Sequence, residues 1–374
     1  MFADDVLMFS RGDASSMMLL LKSFATFSKA TGLKVSASKS NAYFSGVSDS
    51  LKQDILSVSG FSEGEPPFRY LGVINKVEAV CRNFLWDGSA EFRKSPLVAW
   101  DKVCRPKEEG GLGLRDQKTW NKALVGRLVD WVFEERDTIW VHWVNSNYLK
   151  GKSWLDYKPS TNSSWVWRRI CGVKNEIAAG YSNGNWQHRP EGYTPSSCYK
   201  WLRGAKPEVR WRKIVWSSWS IPKHNFVGWL WAHEALHTNA RLIMFGVDIE
   251  DRCWLCGQAT ETQHHLFFAC VYSRKVIQAI NQCTGSCFPV TDVMDWCIQR
   301  NGTKLQRGVQ IALVMGAVYQ VWMQRNRSRM EKAILLPVKV ANLIMTDIKT
   351  RLKSKDRLHM KIMDITWLEK KNLM

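Results

Sequence analysis

At 374 residues, 45% of them apolar, the chain is too hydrophobic for a disordered segment and long enough for two or three folded domains. A formal net charge of +19 and a pI near 9.6 argue against an acidic small molecule as partner and favour a polyanion such as RNA or DNA. That charge is uneven: residues 1–73 carry seven Lys/Arg and seven Asp/Glu, so the whole excess lies beyond them. The start MFADDVLMFS has neither the basic nor the long apolar region of a secretory signal, so the chain is expected inside the cell, in the nucleus if it meets nucleic acid there, with its ten cysteines reduced.

In chain order, Phe2-Ala3-Asp4-Asp5 followed by Val6-Leu7-Met8-Phe9 reads as a turn feeding a short strand, with two adjacent carboxylates at its mouth. Met17, Leu20, Leu21, Phe24 and Phe27 recur at helical spacing, with Asp13 or Ser15 as N-cap and Gly32 as a stop. Asn41 to Val47 predicts a second strand, and Phe68 to Val73, after the Pro66-Pro67 breaker, a third. Paired carboxylates on a strand turn suit two-metal phosphoryl transfer, where hard oxygen ligands hold ions roughly 3.5–4 Å apart.

In order and spacing, FADDVLMF, the helix, GLKVSASKS and PFRYLGV resemble the palm of LINE-type (non-LTR retrotransposon) reverse transcriptases from its Asp-Asp hairpin onward. The resemblance implies that Asp4 and Asp5 descend from catalytic metal ligands and Lys39 from the lysine after the family's helix; Ser36 stands where the family often has Asn. A further metal-binding Asp and the fingers, which the family's polymerases need, are not encoded in this chain, so polymerase activity is not expected from it alone. Mg2+ enters only if such activity survives. YLGV runs straight into Ile74 to Trp86, where the family has a thumb-like segment, which implies an internal deletion near Val73/Ile74.

Pro106-Lys107, Glu109 to Asp116 and the helix-like stretch from Asn121 to Val132 match the family's connector, the glycines marking a tight turn before a helix. Residues 151–195, rich in Ser, Asn, Gly and Trp, read as loops joining short strands at a domain boundary. Tryptophan is unusually abundant, with twenty residues in pairs such as Trp165/Trp167, Trp216/Trp219 and Trp229/Trp231. Most of these rings are expected in cores, with base stacking open to a few. Gly308 to Met323, interrupted by Gln310 and Gln320, falls short of the ~20 residues of a bilayer span and reads as a buried helix.

Cys253-Trp254-Leu255-Cys256, His264-His265 and Cys270 give the spacing C-x2-C-x8-H-x4-C if His265 is the ligand. A C-x2-C knuckle grips one ion from a single turn, and a later His and Cys complete the tetrahedron that structural Zn2+ prefers. Thiolate softness selects zinc over Mg2+ or Ca2+. Residues 211–246, this knuckle and the stretch from Val318 to Arg329 resemble the reverse-transcriptase zinc-binding domain that follows LINE-type polymerases, whose His-Leu-Phe-Phe-x-Cys pattern implies His265 as ligand; a swap to His264 stays open.

After Pro337, Val340, Ile344, Ile348 and Leu352 lie at helical spacing while Lys349, Arg351, Lys353, Lys355, Arg357 and Lys361 crowd the last turns. A phosphate-binding arm along one helix is the preferred reading; a solvated face and a membrane-surface helix are the alternatives. The expected fold is α+β: a residual polymerase palm fragment over 1–73, a connector over 74–150, a loop-rich boundary over 151–195, a mostly helical, Trp-rich zinc-binding domain over 196–330 and a basic helical tail over 331–374. The expected function is that of a reverse-transcriptase remnant binding zinc and RNA or DNA, with no membrane partner. An inactive gene remnant, or a subunit supplying Asp4 and Asp5 in trans, are the alternatives.

Overall fold

The computed structural model describes residues 10, 13–31, 40–42, 44, 47–64, 70–89, 95–182, 186, 192–288, 293–299, 301–355 and 361–373. Two compact units divide the chain, one of residues 1–79 with 158–171 and one of residues 80–157 with 172–374.

In the first unit, α1 (Ala14–Thr31) starts where the Asp13 carboxylate accepts the Ser16 N–H at 2.7 Å and the Ser15 and Ser16 hydroxyls, the usual role of an N-terminal cap. Strand β1 (Asn41–Ala42) leads to α2 (Asp49–Ser59), which ends at Gly60 in the left-handed conformation, φ 67°. Strand β2 (Ser62–Glu63) pairs with β1 in parallel, Asn41 opposite Ser62. The second predicted strand is thus present over two residues. The third is overturned, because Tyr70 to Val73 open α3 (Tyr70–Asp87). YLGV alone satisfies a strand, but Val73, Val77, Val80 and Phe84 carry a helical period onward with no proline or glycine between Gly72 and Gly88. A palm sheet is not seen among the described residues, and the predicted strand from Val6 to Phe9 lies outside them.

Helix α4 (Trp100–Val103) leads into the connector turn. There Gly110 adopts φ 90°, and a side chain at Gly111 would meet the Arg105 carbonyl at 1.9 Å, so both positions require glycine. Asp116 then caps α5 (Gln117–Phe133) by accepting the Thr119 N–H at 2.7 Å. After α6 (Ile139–Val144), the stretch expected to hold short strands instead forms α7 (Trp165–Ser182). Val166, Ile170, Val173 and Ile177 recur at helical spacing, and the Ser164 hydroxyl accepts the Trp167 N–H.

The remainder is helical: α8 (Pro195–Arg203), α9 (Arg212–Val215), α10 (Pro222–Ala232), α11 (Asn239–Met244), α12 (Val271–Thr284), α13 (Val293–Ile298), α14 (Lys304–Glu331), α15 (Pro337–Lys353) and α16 (Ile362–Lys370). Helix α14, opened by a Thr303/Gln306 capping box, is the buried helix anticipated around Gly308 to Met323. Its glycines admit its neighbours. Trp219 sits where a side chain at Gly308 would come within 1.9 Å, and Ile344 of α15 where one at Gly316 would come within 2.9 Å. On α15, Val340, Ala341, Ile344, Met345, Ile348 and Leu352 are all buried, packed with α12 and α14. The helix of the basic tail is therefore part of this core.

Many aromatic residues serve the same packing. Trp229 is fully buried beside Trp86, ring centroids 6.3 Å apart, and its indole N–H donates to the Gly110 carbonyl at 2.8 Å. None of the ten cysteines is joined in a disulfide, and no described helix is long and apolar enough to cross a membrane.

Candidate metal centre

Two short segments of the second unit bring four soft donors together. In the first, Arg252 and Thr260 form an antiparallel bridge, the Cys253 N–H donates to Ala259 O, and the Gly257 N–H donates to Cys253 O, each at 2.8 Å. Gly257 turns the chain with φ 67°, which glycine adopts without strain. The second segment, His265–Ala269, is a π-turn closed by the Cys270 N–H on the His265 carbonyl at 2.7 Å. On a regular α-helix five residues advance about 500°, leaving His265 and Cys270 about 140° apart. The wider turn returns them to one side, while Leu266 and Phe267 between them are buried in the core.

One donor atom each from Cys253, Cys256, His265 and Cys270 lies within 4.8 Å of all the others. Cys253 Sγ is 3.9 Å from Cys270 Sγ, and Cys256 Sγ is 3.3 Å from His265 Nε2. A tetrahedral zinc with bonds of about 2.3 Å to sulfur and about 2.0 Å to nitrogen has S···S edges near 3.8 Å and S···N edges near 3.5 Å. The donor set therefore fits zinc in size and chemistry. Four filled positions leave none for a reacting water, which makes the site structural.

The surroundings favour one thiolate, at Cys270. The Cys270 thiol is lowered to about 5, first by the Cys253 thiol beside it and then by the backbone N–H groups of Ser273 and Tyr272 in the opening turn of α12. Cys253 is pushed up by the same pairing and by burial, against the N–H groups of Leu255 and Cys256. The His264 ring lies 6.2 Å from that of Phe268 and outside the four donors.

A buried polar network that the sequence did not reveal fixes the hairpin to the helices. Glu261 and Arg325 are 0% and 2% exposed, and Arg325 Nε and Nη2 donate to Glu261 Oε1 at 2.9 and 2.6 Å. The same carboxylate accepts the Asn239 and Trp254 N–H groups at 3.1 and 3.0 Å. Asn239 Oδ1 accepts from Arg325 and from the Trp254 indole, while its amide donates to the Glu250 and Arg252 carbonyls. The available hint is Arg325 itself: it continues the stripe of Val314, Val318 and Val321 on α14, where a charge must find a buried partner.

The other predicted residues are dispersed. Asp4, Asp5, Lys39 and Arg357 lie outside the described residues. Helix α15 ends at Lys353 with Ser354 as its cap, and Lys361 precedes α16, so the basic cluster does not run along one helix. Lys353 and Lys361 are exposed and Lys349 is half-buried. Arg351 Nη2 donates to the Ser218 carbonyl at 2.9 Å, and Lys355 Nζ sits 4.9 Å from the Trp219 ring centre.

Residues 193–276, which include all four donors, match a family described as zinc-binding in reverse transcriptase. An Arabidopsis thaliana protein provisionally named a ribonuclease H protein is 36% identical over 113 residues, covering 29% of this chain and 18% of that protein. An uncharacterized mitochondrial protein of the same plant is 29% identical over 106 residues, covering 28% of this chain and 69% of its own length. The chain thus spans under a fifth of the first of these relatives. No solved structure matches it. Through a zinc-binding segment with a three-cysteine, one-histidine site suited to structural zinc, the chain is related to reverse transcriptases.

Proposed function

We propose that this chain is a remnant of a LINE-type, non-LTR reverse transcriptase that binds RNA or DNA in the nucleus through a helical platform held by one structural zinc, and that it does not copy nucleic acid by itself. The observation that carries this reading is the convergence of Cys253, Cys256, His265 and Cys270 within the segment that matches the reverse-transcriptase zinc-binding family. The zinc supplies folding energy to a hairpin too small to form its own core. The charge excess beyond residue 73 supplies long-range attraction for a phosphate backbone. Asp4 and Asp5 are assigned as vestigial metal ligands.

Metal analysis of the purified chain should find one zinc. His265→Ala should release it and His264→Ala should retain it; the reverse pattern would transfer the ligand role. Binding to unrelated single-stranded and duplex oligonucleotides should be similar in strength and weaken steeply with salt. No primer extension on an RNA template is expected with Mg2+ or Mn2+, and extension abolished by Asp4→Asn would restore an enzymatic reading.

A further inference from the structure

We propose that the phosphate backbone is gripped by a composite cationic surface, in which Lys223 at the start of α10 joins Arg351 in the last turn of α15 and Lys355 just beyond that helix around the turn Ser217–Ser220, and not by a freestanding basic arm. The inference rests on the nucleic-acid reading above and assigns it a place.

Three contacts assemble this surface from segments more than a hundred residues apart. Arg351 Nη2 is fixed on the Ser218 carbonyl at 2.9 Å. Lys355 Nζ is held over the Trp219 ring, and Trp219 in turn is seated on α14 at Gly308, where a side chain would come within 1.9 Å of it. Lys223 Nζ lies 3.8 Å from Asp347 Oδ2, one helical turn before Arg351 on α15. Asp347 is the one carboxylate in these contacts, against three cations, so the patch keeps a net positive charge. His224, whose Nε2 is 3.3 Å from Asp347, adds none at neutral pH, since burial holds its imidazole down to about 4. The first turn of α10, whose cap Ile221 provides no side-chain acceptor, points further positive potential the same way.

Preorganisation distinguishes this patch from the remaining basic residues of the tail. A lysine or arginine already seated against protein loses less side-chain entropy on meeting a phosphate than a free one. Lys349 and Lys353 each stand two residues from Arg351 on α15, about 160° around the helix, and face away from the turn. They serve as an internal control of equal charge on the helix that carries Arg351.

The test compares two double variants, Lys223→Ala with Lys355→Ala and Lys349→Ala with Lys353→Ala, by anisotropy titration of a labelled single-stranded oligothymidylate from 50 to 300 mM salt. Zinc content and the melting transition should be unchanged in both. The first pair should flatten the slope of log affinity against log salt by about 1.4, two phosphates at about 0.7 each, and the second should leave it near that of the parent. Equal flattening by the two pairs, or a larger effect of the second, would overturn the composite surface while leaving nucleic-acid binding intact. A parent protein that does not bind the probe at any salt would remove both readings.

Discussion

Asp130 is buried within α5 and accepts the Tyr181 hydroxyl at 3.1 Å, with Arg136 Nη2 at 3.9 Å and Arg127 also acting on its charge. Burial, reinforced by Glu134, pushes its carboxyl up to about 6. The folded chain therefore holds this proton more tightly than the unfolded one. The associated stability is complete below about pH 4, fades as pH rises through about 6, and is absent above. Asp130→Asn keeps the shape and the acceptor for Tyr181 while removing the buried charge. It should be more stable than the parent at pH 8 by about 1–3 kcal/mol, given 1.36 kcal/mol per pKa unit, and close to it at pH 4. Urea unfolding at the two pH values measures this; a variant weaker than the parent at pH 8 would show that the ionised form is the one the fold requires. At this scale the sequence was readable where partners are near neighbours. Cys253, Cys256, His265 and Cys270 fall within one short stretch, whereas Asp130 and Tyr181 are 51 residues apart and carry no local pattern.

The same distance effect governs elements. Arg325 lies 64 residues from Glu261 and 86 from Asn239, so neither spacing nor composition announces that α14, α11 and the metal hairpin share one buried ion pair. Removing one member strands a charge. Glu261→Gln or Arg325→Met alone should each destabilise by about 3–5 kcal/mol and make zinc easier for a chelator to extract, because the hairpin loses its anchor to α14. The double variant Glu261→Gln with Arg325→Met should recover part of that loss, since no unpaired charge remains. Additive losses measured by melting and chelator competition would mean the two side chains act separately. Periodicity succeeded for α1 and α15, whose apolar positions recur locally, and the apolar run for α14. It misled at Tyr70–Val73, where four residues match a strand and only the next ten reveal the helix, and over residues 165–182, where a Ser/Asn/Gly-rich flank obscured α7.

For the whole molecule, charge and core cannot be separated by cutting the chain. The basic tail was legible as an amphipathic helix, but only the packing shows that its apolar stripe completes the core beneath the metal hairpin. Val340, Ile344, Ile348 and Leu352 are 0–4% exposed. Each aliphatic side chain contributes about 1.5–3 kcal/mol by leaving water, so the four together amount to roughly 6–12 kcal/mol, comparable with the 5–15 kcal/mol that typically separates folded from unfolded states. Deleting residues 337–374 should therefore abolish cooperative folding of the second unit instead of trimming its electrostatics. The expected readout is a truncated chain that aggregates or melts without a transition even with zinc present. Substituting Lys349, Lys353 and Lys361 by Gln in the full chain should leave the melting transition within a few degrees of the parent, because Lys353 and Lys361 are exposed, Lys349 is half-buried and none belongs to the apolar stripe. A chain of residues 1–336 that melts sharply in a zinc-dependent manner would show that α15 is dispensable to the core, and the tail could then be treated as an arm after all.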